Sequence, residues 1–134
     1  MTPQDDLGAS ESQEPLSYAL RVTPRALADM DTAHAHFWDT AGPEVADDWQ
    51  ETLLKTIAGL AFMPHRQLVP EAKRFQRQVR QIIHRRPSSR VAYRVLFSVS
   101  EDGPDGPVVT ILALRHGAAR PITRAEARDM EAEE

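Results

Sequence analysis

Three runs of β-branched and aromatic residues between Val79 and His116 constrain the fold more than any other feature. They read V-R-Q-I-I-H from Val79, R-V-A-Y-R-V-L-F-S-V-S from Arg90 and V-V-T-I-L-A-L-R-H from Val108. Such runs are strand signals when turn chemistry separates them. Arg85–Ser89 supplies the first turn, and Glu101–Pro107, with two Asp-Gly steps and two prolines, supplies the second. Links this short join neighbouring strands antiparallel, so the spacing predicts a three-stranded meander. In the second run Tyr93, Val95, Phe97 and Val99 share a face, opposite Ala92, Arg94, Leu96 and Ser98. In the third, alternation sets Val109, Ile111 and Ala113 against Val108, Leu112 and Leu114. One apolar face and one mixed face suit a sheet covered by helices on one side. The other side is expected to be partly open, with Arg80 and Arg94 pointing there.

The first half of the chain carries the helices. Leu16–Val22 reads as a strand, with Tyr18, Leu20 and Val22 alternating toward the core. Thr23 is placed to cap a helix and Pro24 to open it, where its missing N–H costs nothing. That helix is expected from Pro24 to about Thr40, on a stripe of Leu27, Met30, Ala33, His34, Phe37, Trp38 and Ala41. Gly42 breaks it. Pro43 opens a second helix to about Phe62, with Val45, Trp49, Leu53, Ile57 and Leu60 as its stripe. The link is so short that the helices must fold back as an antiparallel hairpin. Met63–Gln78 reads as a loop with a short helical turn near Glu71–Phe75. The expected fold class is α+β: an N-terminal strand, then a helix hairpin packed on one face of an antiparallel sheet that ends in the meander.

The chain has 134 residues, enough for one domain. Residues 1–15 hold four acids, no base and no periodicity, and are expected to be a disordered acidic tail. The domain proper is expected over 16–122. Residues 123–134 read as an acidic C-terminal tail, in which Thr123 and Glu126 are spaced as the capping box of a short, frayed helix. There is no cysteine, which excludes disulfides, thiol catalysis and thiolate metal sites. No apolar run approaches membrane-span length and the first residues lack an export signal, so a soluble, cytoplasmic protein is expected.

The net charge of −4 conceals a split. Residues 26–54 carry seven acids and no Lys or Arg, whereas residues 66–94 carry nine bases against Glu71 alone. The basic block implies a positive surface for an acidic partner, either protein or nucleic acid. Taken singly, the turn residues Arg85, Arg86 and Arg90 are equally at home as solvated surface.

The elements come with a set of local signatures in a fixed order. Y-A-L-R-V-T-P-R-A-L-A-D-M opens the domain at Tyr18, and L-A-F-M-P-H-R ends the second helix at Leu60. V-R-Q-I-I follows at Val79, Y-R-V-L-F-S-V at Tyr93, and L-A-L-R-H-G-A-A-R at Leu112. Together they resemble the RelE/ParE superfamily of toxins from type II toxin–antitoxin modules, over about residues 16–122. The resemblance implies a bacterial growth inhibitor that a cognate antitoxin neutralises by wrapping it. Two activities are implied within the superfamily: RelE-like cleavage of mRNA on the ribosome, and ParE-like poisoning of DNA gyrase.

RNA cleavage needs a base for the 2′-hydroxyl, cations for the phosphorane charge and an acid for the leaving oxygen. The candidates are Arg80 and Arg94 on adjacent strands and His116 at the end of the last strand; Arg120 follows four residues later. Arg94 is equally suited to pair with an acid from a neighbouring element, and His116 to bond backbone at a strand end. His116 resembles the His of the H-G-x-R ending found in ParE-like members especially. Two features of the RelE-like pattern are absent: closely spaced lysines between the second helix and second strand, and a tyrosine near the C-terminus. Tyr93 sits mid-strand and is expected to face the core.

The first reading is therefore a ParE-like toxin acting by protein contact on gyrase, with Arg77, Arg80, Arg94 and Arg120 as partner-binding residues for the antitoxin. The second is a ribosome-dependent mRNA endonuclease using Arg80, Arg94 and His116. The third is an interaction domain without toxicity. No metal or cofactor is assigned: His34 and His36 point to different sides of their helix, and His65 and His84 lack partners at ligand spacing. Trp38 and Trp49 are expected in core or hairpin packing.

Overall fold

The computed structural model of the protein describes residues 17–87 and 89–134; the acidic stretch 1–15, Leu16 and Ser88 lie outside them. The elements are β1 (Ala19–Val22), α1 (Pro24–Ala41), α2 (Pro43–Gly59), β2 (Arg80–Arg85), β3 (Ala92–Ser100), β4 (Val108–His116) and α3 (Arg124–Ala132). A single 3-10 turn, Ala72–Arg74, interrupts the long loop before β2. No helix among the described residues is long and apolar enough to cross a membrane.

Local chemistry places the helix ends. The Thr23 hydroxyl accepts the Ala26 N–H at 3.1 Å, with Pro24 in the first turn. Gly42 both ends α1 and begins α2 at φ 95°, and its N–H donates to the carbonyls of Phe37 and Trp38 at 3.1 Å. A side chain is strained at that φ, so glycine is what lets the hairpin turn in one residue.

The sheet order is β1-β4-β3-β2. The meander β2-β3-β4 is antiparallel as expected, while β1 joins β4 in parallel, Ala19 opposite Val108 and Val22 opposite Ile111. The α1–α2 hairpin and the loop after it lie between β1 and the meander, leaving β1 free to take that sense. The fold is α+β, as the pattern predicts. Tyr18, just before β1, is buried as expected, but Leu20, expected toward the core, is exposed on this edge strand.

The α1–α2 hairpin covers one face of the sheet. Met30, Phe37, Trp49, Leu53 and Ile57 meet Tyr93, Val95, Phe97, Val109, Ile111 and Leu114. The Trp49 ring lies 5.0 Å from Phe37 and 5.3 Å from Tyr93, centroid to centroid, within the range of favourable aromatic pairs.

Four particulars differ from the sequence reading. First, the second face is not open. Val69, Phe75 and Val79 from the loop, with Ile122, Ala127 and Met130 from the C-terminal segment, close a second core on Leu96, Leu112 and Ala113. Second, a β-bulge shifts the β3–β4 register: Leu96 faces Ala113 but Phe97 faces Ile111, so Leu112 is the extra residue. The bulge reverses the alternation, sending Ala113 to the second face and Leu114 to the first.

Third, the buried stripe of α1 is Ala26, Met30, Ala33 and Phe37, while Leu27 and Trp38 are 52% and 49% exposed. Leu27 and Trp38 each sit one position past a buried residue of that stripe, Ala26 and Phe37, which turns them about 100° from the buried face. Fourth, the C-terminal helix is docked rather than loose. Thr123 and Glu126 form the expected capping box, and the Glu131 carboxylate accepts the N–H groups of Gln76 and Arg77 at 2.9 Å.

Candidate functional site

Part of the basic block 66–94 is spent on fastening the fold, above all at the second face. Arg94, on that face of β3, donates to both oxygens of Glu71, at 2.7 and 3.1 Å, and to Gln81 at 2.8 Å. Glu71 also accepts the Ile122 N–H at 3.0 Å, so one carboxylate ties β3, the loop and the C-terminal segment. Both side chains are withdrawn from solvent, at 11% exposure for Arg94 and 6% for Glu71. Burial pushes the Glu71 carboxyl up, but the hydrogen bonds from Arg94 and Ile122 outweigh it and bring its pKa down to about 2.

Other arginines of the block make bonds within the fold as well. Arg80 donates to the Arg66 carbonyl, Arg74 to the Ile122 carbonyl at 2.6 Å, and Arg66 to the Met63 carbonyl at 3.1 Å. Arg86 pairs with Asp48 of α2 at 2.9 Å, joining the basic and acidic blocks directly. Arg77 reaches the Glu134 carboxylate at 3.5 Å but stays exposed. Arg120, exposed as well, pairs with Glu126 at 2.8 Å. The hydrogen bonds of the capping box and of Arg120 hold the Glu126 carboxyl at a pKa of about 2.

The expected nuclease trio is not brought together. In the β2–β3 register Arg80 lies opposite Phe97 and Arg94 opposite Ile83. Opposed residues share a face and successive ones alternate, so Arg80 sits on the hairpin side and Arg94 on the other. His116 is opposite Tyr93, with the rings 5.2 Å apart, and its Nδ1 accepts the Ala118 N–H at 3.0 Å. Gly117 makes that turn possible: a side chain there would meet the Ala92 carbonyl oxygen at 2.9 Å.

His116 borders two shallow depressions. One, of about 370 Å³, is shared with Asp29, Thr32, His36 and Tyr93, and no Lys or Arg lines it. Burial pushes the Asp29 carboxyl up, although the Leu114 N–H it accepts works the other way. The other, of about 380 Å³, brings His116 beside Arg90 and Arg94. Of the trio, then, His116 and Arg94 share a depression, with Arg90 rather than Arg80, and the Arg94 guanidinium there is already occupied by Glu71.

A further cavity, of about 640 Å³, is lined by Pro70, Glu71, Ala72, Lys73, Arg74, Arg94, Ala119 and Pro121. Sequence reasoning did not single out Glu71, Lys73 or Arg74. The available signal was Glu71 itself, the lone acid in a run of nine bases. Among the described residues, no group of three His, Cys, Asp or Glu is placed to hold a metal ion.

The arrangement presents the exposed cations Arg77 and Arg120 at the surface, and of the two cations beside His116 it pairs Arg94 with Glu71. Comparisons with known proteins agree with the fold. A chain of the "Chromosomal ParDE TA system from P. aeruginosa" matches with a TM-score of 0.55 and 23% identity, over 75% of this chain and 96% of that one. No curated protein matches. The family model described as "ParE toxin of type II toxin-antitoxin system, parDE" matches residues 20–121, from β1 to the residue before Ile122. The chain therefore belongs to the ParE toxin family of type II toxin–antitoxin systems.

Proposed function

We propose that this toxin arrests growth by binding DNA gyrase, and that a cognate antitoxin neutralises it by covering part of its cationic surface. The observation that carries the choice of protein contact over RNA cleavage is the Glu71–Arg94 pair. A cation that already serves a buried carboxylate is a poor stabiliser of new phosphorane charge, because moving it strands Glu71. His116 in turn accepts a backbone N–H at Nδ1, and its ring packs against that of Tyr93.

The experiment is growth arrest after induction, with mRNA integrity and the DNA-damage response followed in parallel. A damage response without early mRNA cleavage is expected, and His116→Ala should leave arrest nearly intact. A nuclease using His116 for proton transfer would instead lose about a hundredfold or more in rate. Rapid mRNA cleavage abolished by that substitution would replace this reading with the endonuclease one.

Antitoxin contact falls to the exposed cations. Arg77 and Arg120 stand at the surface, whereas Arg80 and Arg94 are engaged. Reversing Arg77 and Arg120 to Glu should weaken antitoxin binding and flatten its salt dependence, measured by titration at several ionic strengths. Unchanged affinity would move the antitoxin to another surface.

A further inference from the structure

Where the loop before β2 and the segment after β4 close the second face, they share a cavity of about 640 Å³. Small-molecule sites run from about 300 to 1,000 Å³. Neither Arg77 nor Arg120, the cations assigned to the antitoxin, lines it. Pro70, Ala72, Ala119 and Pro121 give it apolar walls. The two proline rings lock φ and carry no N–H, so those walls are stiff and add no donor of their own.

The polar side chains of the lining are Glu71, Lys73, Arg74 and Arg94. Glu71 is the one acceptor among them, and its oxygens already accept from Arg94 and from the Ile122 N–H. Arg94 gives Nε–H to Gln81 and one N–H from each Nη to Glu71, and a guanidinium has further N–H groups beyond these. Arg74 commits Nη1 to the Ile122 carbonyl and keeps other donors. Lys73 is exposed, and among the described residues no carboxylate pairs with it. Side-chain donors are thus in excess. The Glu71 charge is answered by Arg94, so Lys73 and Arg74 leave the cavity positive. A ligand that buries its own N–H here meets no open side-chain acceptor, which is costly. From this stiff apolar wall with a donor-only polar rim we infer that the cavity binds a small organic anion, a carboxylate on an apolar body. The carboxylate is met by Lys73 and by the remaining N–H groups of Arg94, whose planar fork suits it. The body lies against Pro70, Ala72, Ala119 and Pro121. Such a ligand touches both covering segments and so fastens the second face from outside, as Glu71 does from within. The site is independent of whether gyrase is the target.

The test titrates the full chain, isotope-labelled and without antitoxin, with benzoate, 2-naphthoate and octanoate, each beside its neutral amide. The Ala72 and Ala119 methyl signals report on the walls. At least one acid is expected to shift both methyls with a Kd of about 1 mM or tighter, and its amide to bind about tenfold more weakly. The same acid should raise the thermal midpoint, because it binds the folded chain alone. Lys73→Gln should weaken the acid about fivefold and leave the amide unchanged, the scale of one exposed charge contact. Ala119→Phe should abolish binding by filling the cavity, with the fold checked by circular dichroism. An amide that binds as well as its acid would overturn the inference, because the cavity would then select apolar shape alone. Acids that shift Lys73 but neither methyl would overturn it as bare electrostatics, and so would the absence of shifts from all three acids. Binding of a Glu/Phe peptide but of none of the free acids would give the cavity to a partner protein instead.

Discussion

One face of the sheet is closed by two long helices, the other by an irregular loop and a helix of nine residues. On the first face, rigid elements bring large apolar side chains together, and Trp49, Leu53 and Phe97 are almost wholly removed from water. The second face has fewer apolar residues in its core, and its covering loop meets the sheet edge at an isolated bridge, Leu68 opposite Arg80. There the Glu71 carboxylate and the Arg94 guanidinium supply the geometry that helix packing supplies opposite. The difference teaches that a basic run in a sequence is not by itself a binding surface. Part of this one is internal fastening.

The strongest way to break the comparison is to remove one partner of the buried pair. Glu71→Ala leaves Arg94 buried without its carboxylate and should cost about 3–5 kcal/mol in chemical denaturation. Replacing both, Glu71→Leu with Arg94→Met, should recover most of that loss, because the pair then leaves no stranded charge. On the helical face Leu53→Ala should cost about 2–5 kcal/mol, with no partner change able to restore it. A near-neutral Glu71→Ala would mean that the second face is held by its apolar residues alone.

Acid should open the faces in two separate windows. His84 is buried under the hairpin, with Thr52 and Thr56 hydroxyls at 3.3 and 3.1 Å from its ring nitrogens. Burial pushes its pKa down from 6.5, so the unfolded chain binds that proton first. Stability tied to His84 is therefore full above about 6.5 and declines as pH falls below it. Glu71 has its pKa lowered to about 2 from 4.5, so its contribution is full above about 4.5 and is lost as pH falls toward 2. Thermal midpoints across pH should fall in two steps, the upper one removed by His84→Gln and the lower one reduced by Glu71→Gln. A single step unaffected by His84→Gln would contradict the assignment. The smallest effect is expected at the C-terminal cap, where Thr123→Ala should cost about 1 kcal/mol and loosen α3 before the rest.

Legibility in the sequence follows the same division. The hairpin and meander were readable because their signals are local: Thr23-Pro24, Gly42-Pro43, the Asp-Gly turns, and stripes at one period per element. Trp49, Leu53 and Tyr93 were placed correctly for that reason. What escaped depends on register and on contacts between distant segments. The bulge at Leu112 moves Leu114 to the hairpin face, and no local residue announces it. The opposite facing of Arg80 and Arg94 follows only once Ile83 is known to lie across from Arg94, since a one-residue slip would reverse it. Closure of the second face rests on Phe75, Ile122 and Met130, isolated apolar residues in polar stretches. The Arg94 partner was foreseen as an acid from a neighbouring element, but nothing except the solitude of Glu71 pointed to which one.

The central claim is that the toxin acts through protein contact on gyrase and not through cleavage of RNA. Its most direct test is a DNA supercoiling assay with purified gyrase and toxin, run beside a cleavage assay on ribosome-bound mRNA. The account predicts loss of supercoiling or accumulation of cleaved DNA, relieved by the antitoxin, with the mRNA left intact. Unimpaired gyrase together with cut mRNA would contradict it.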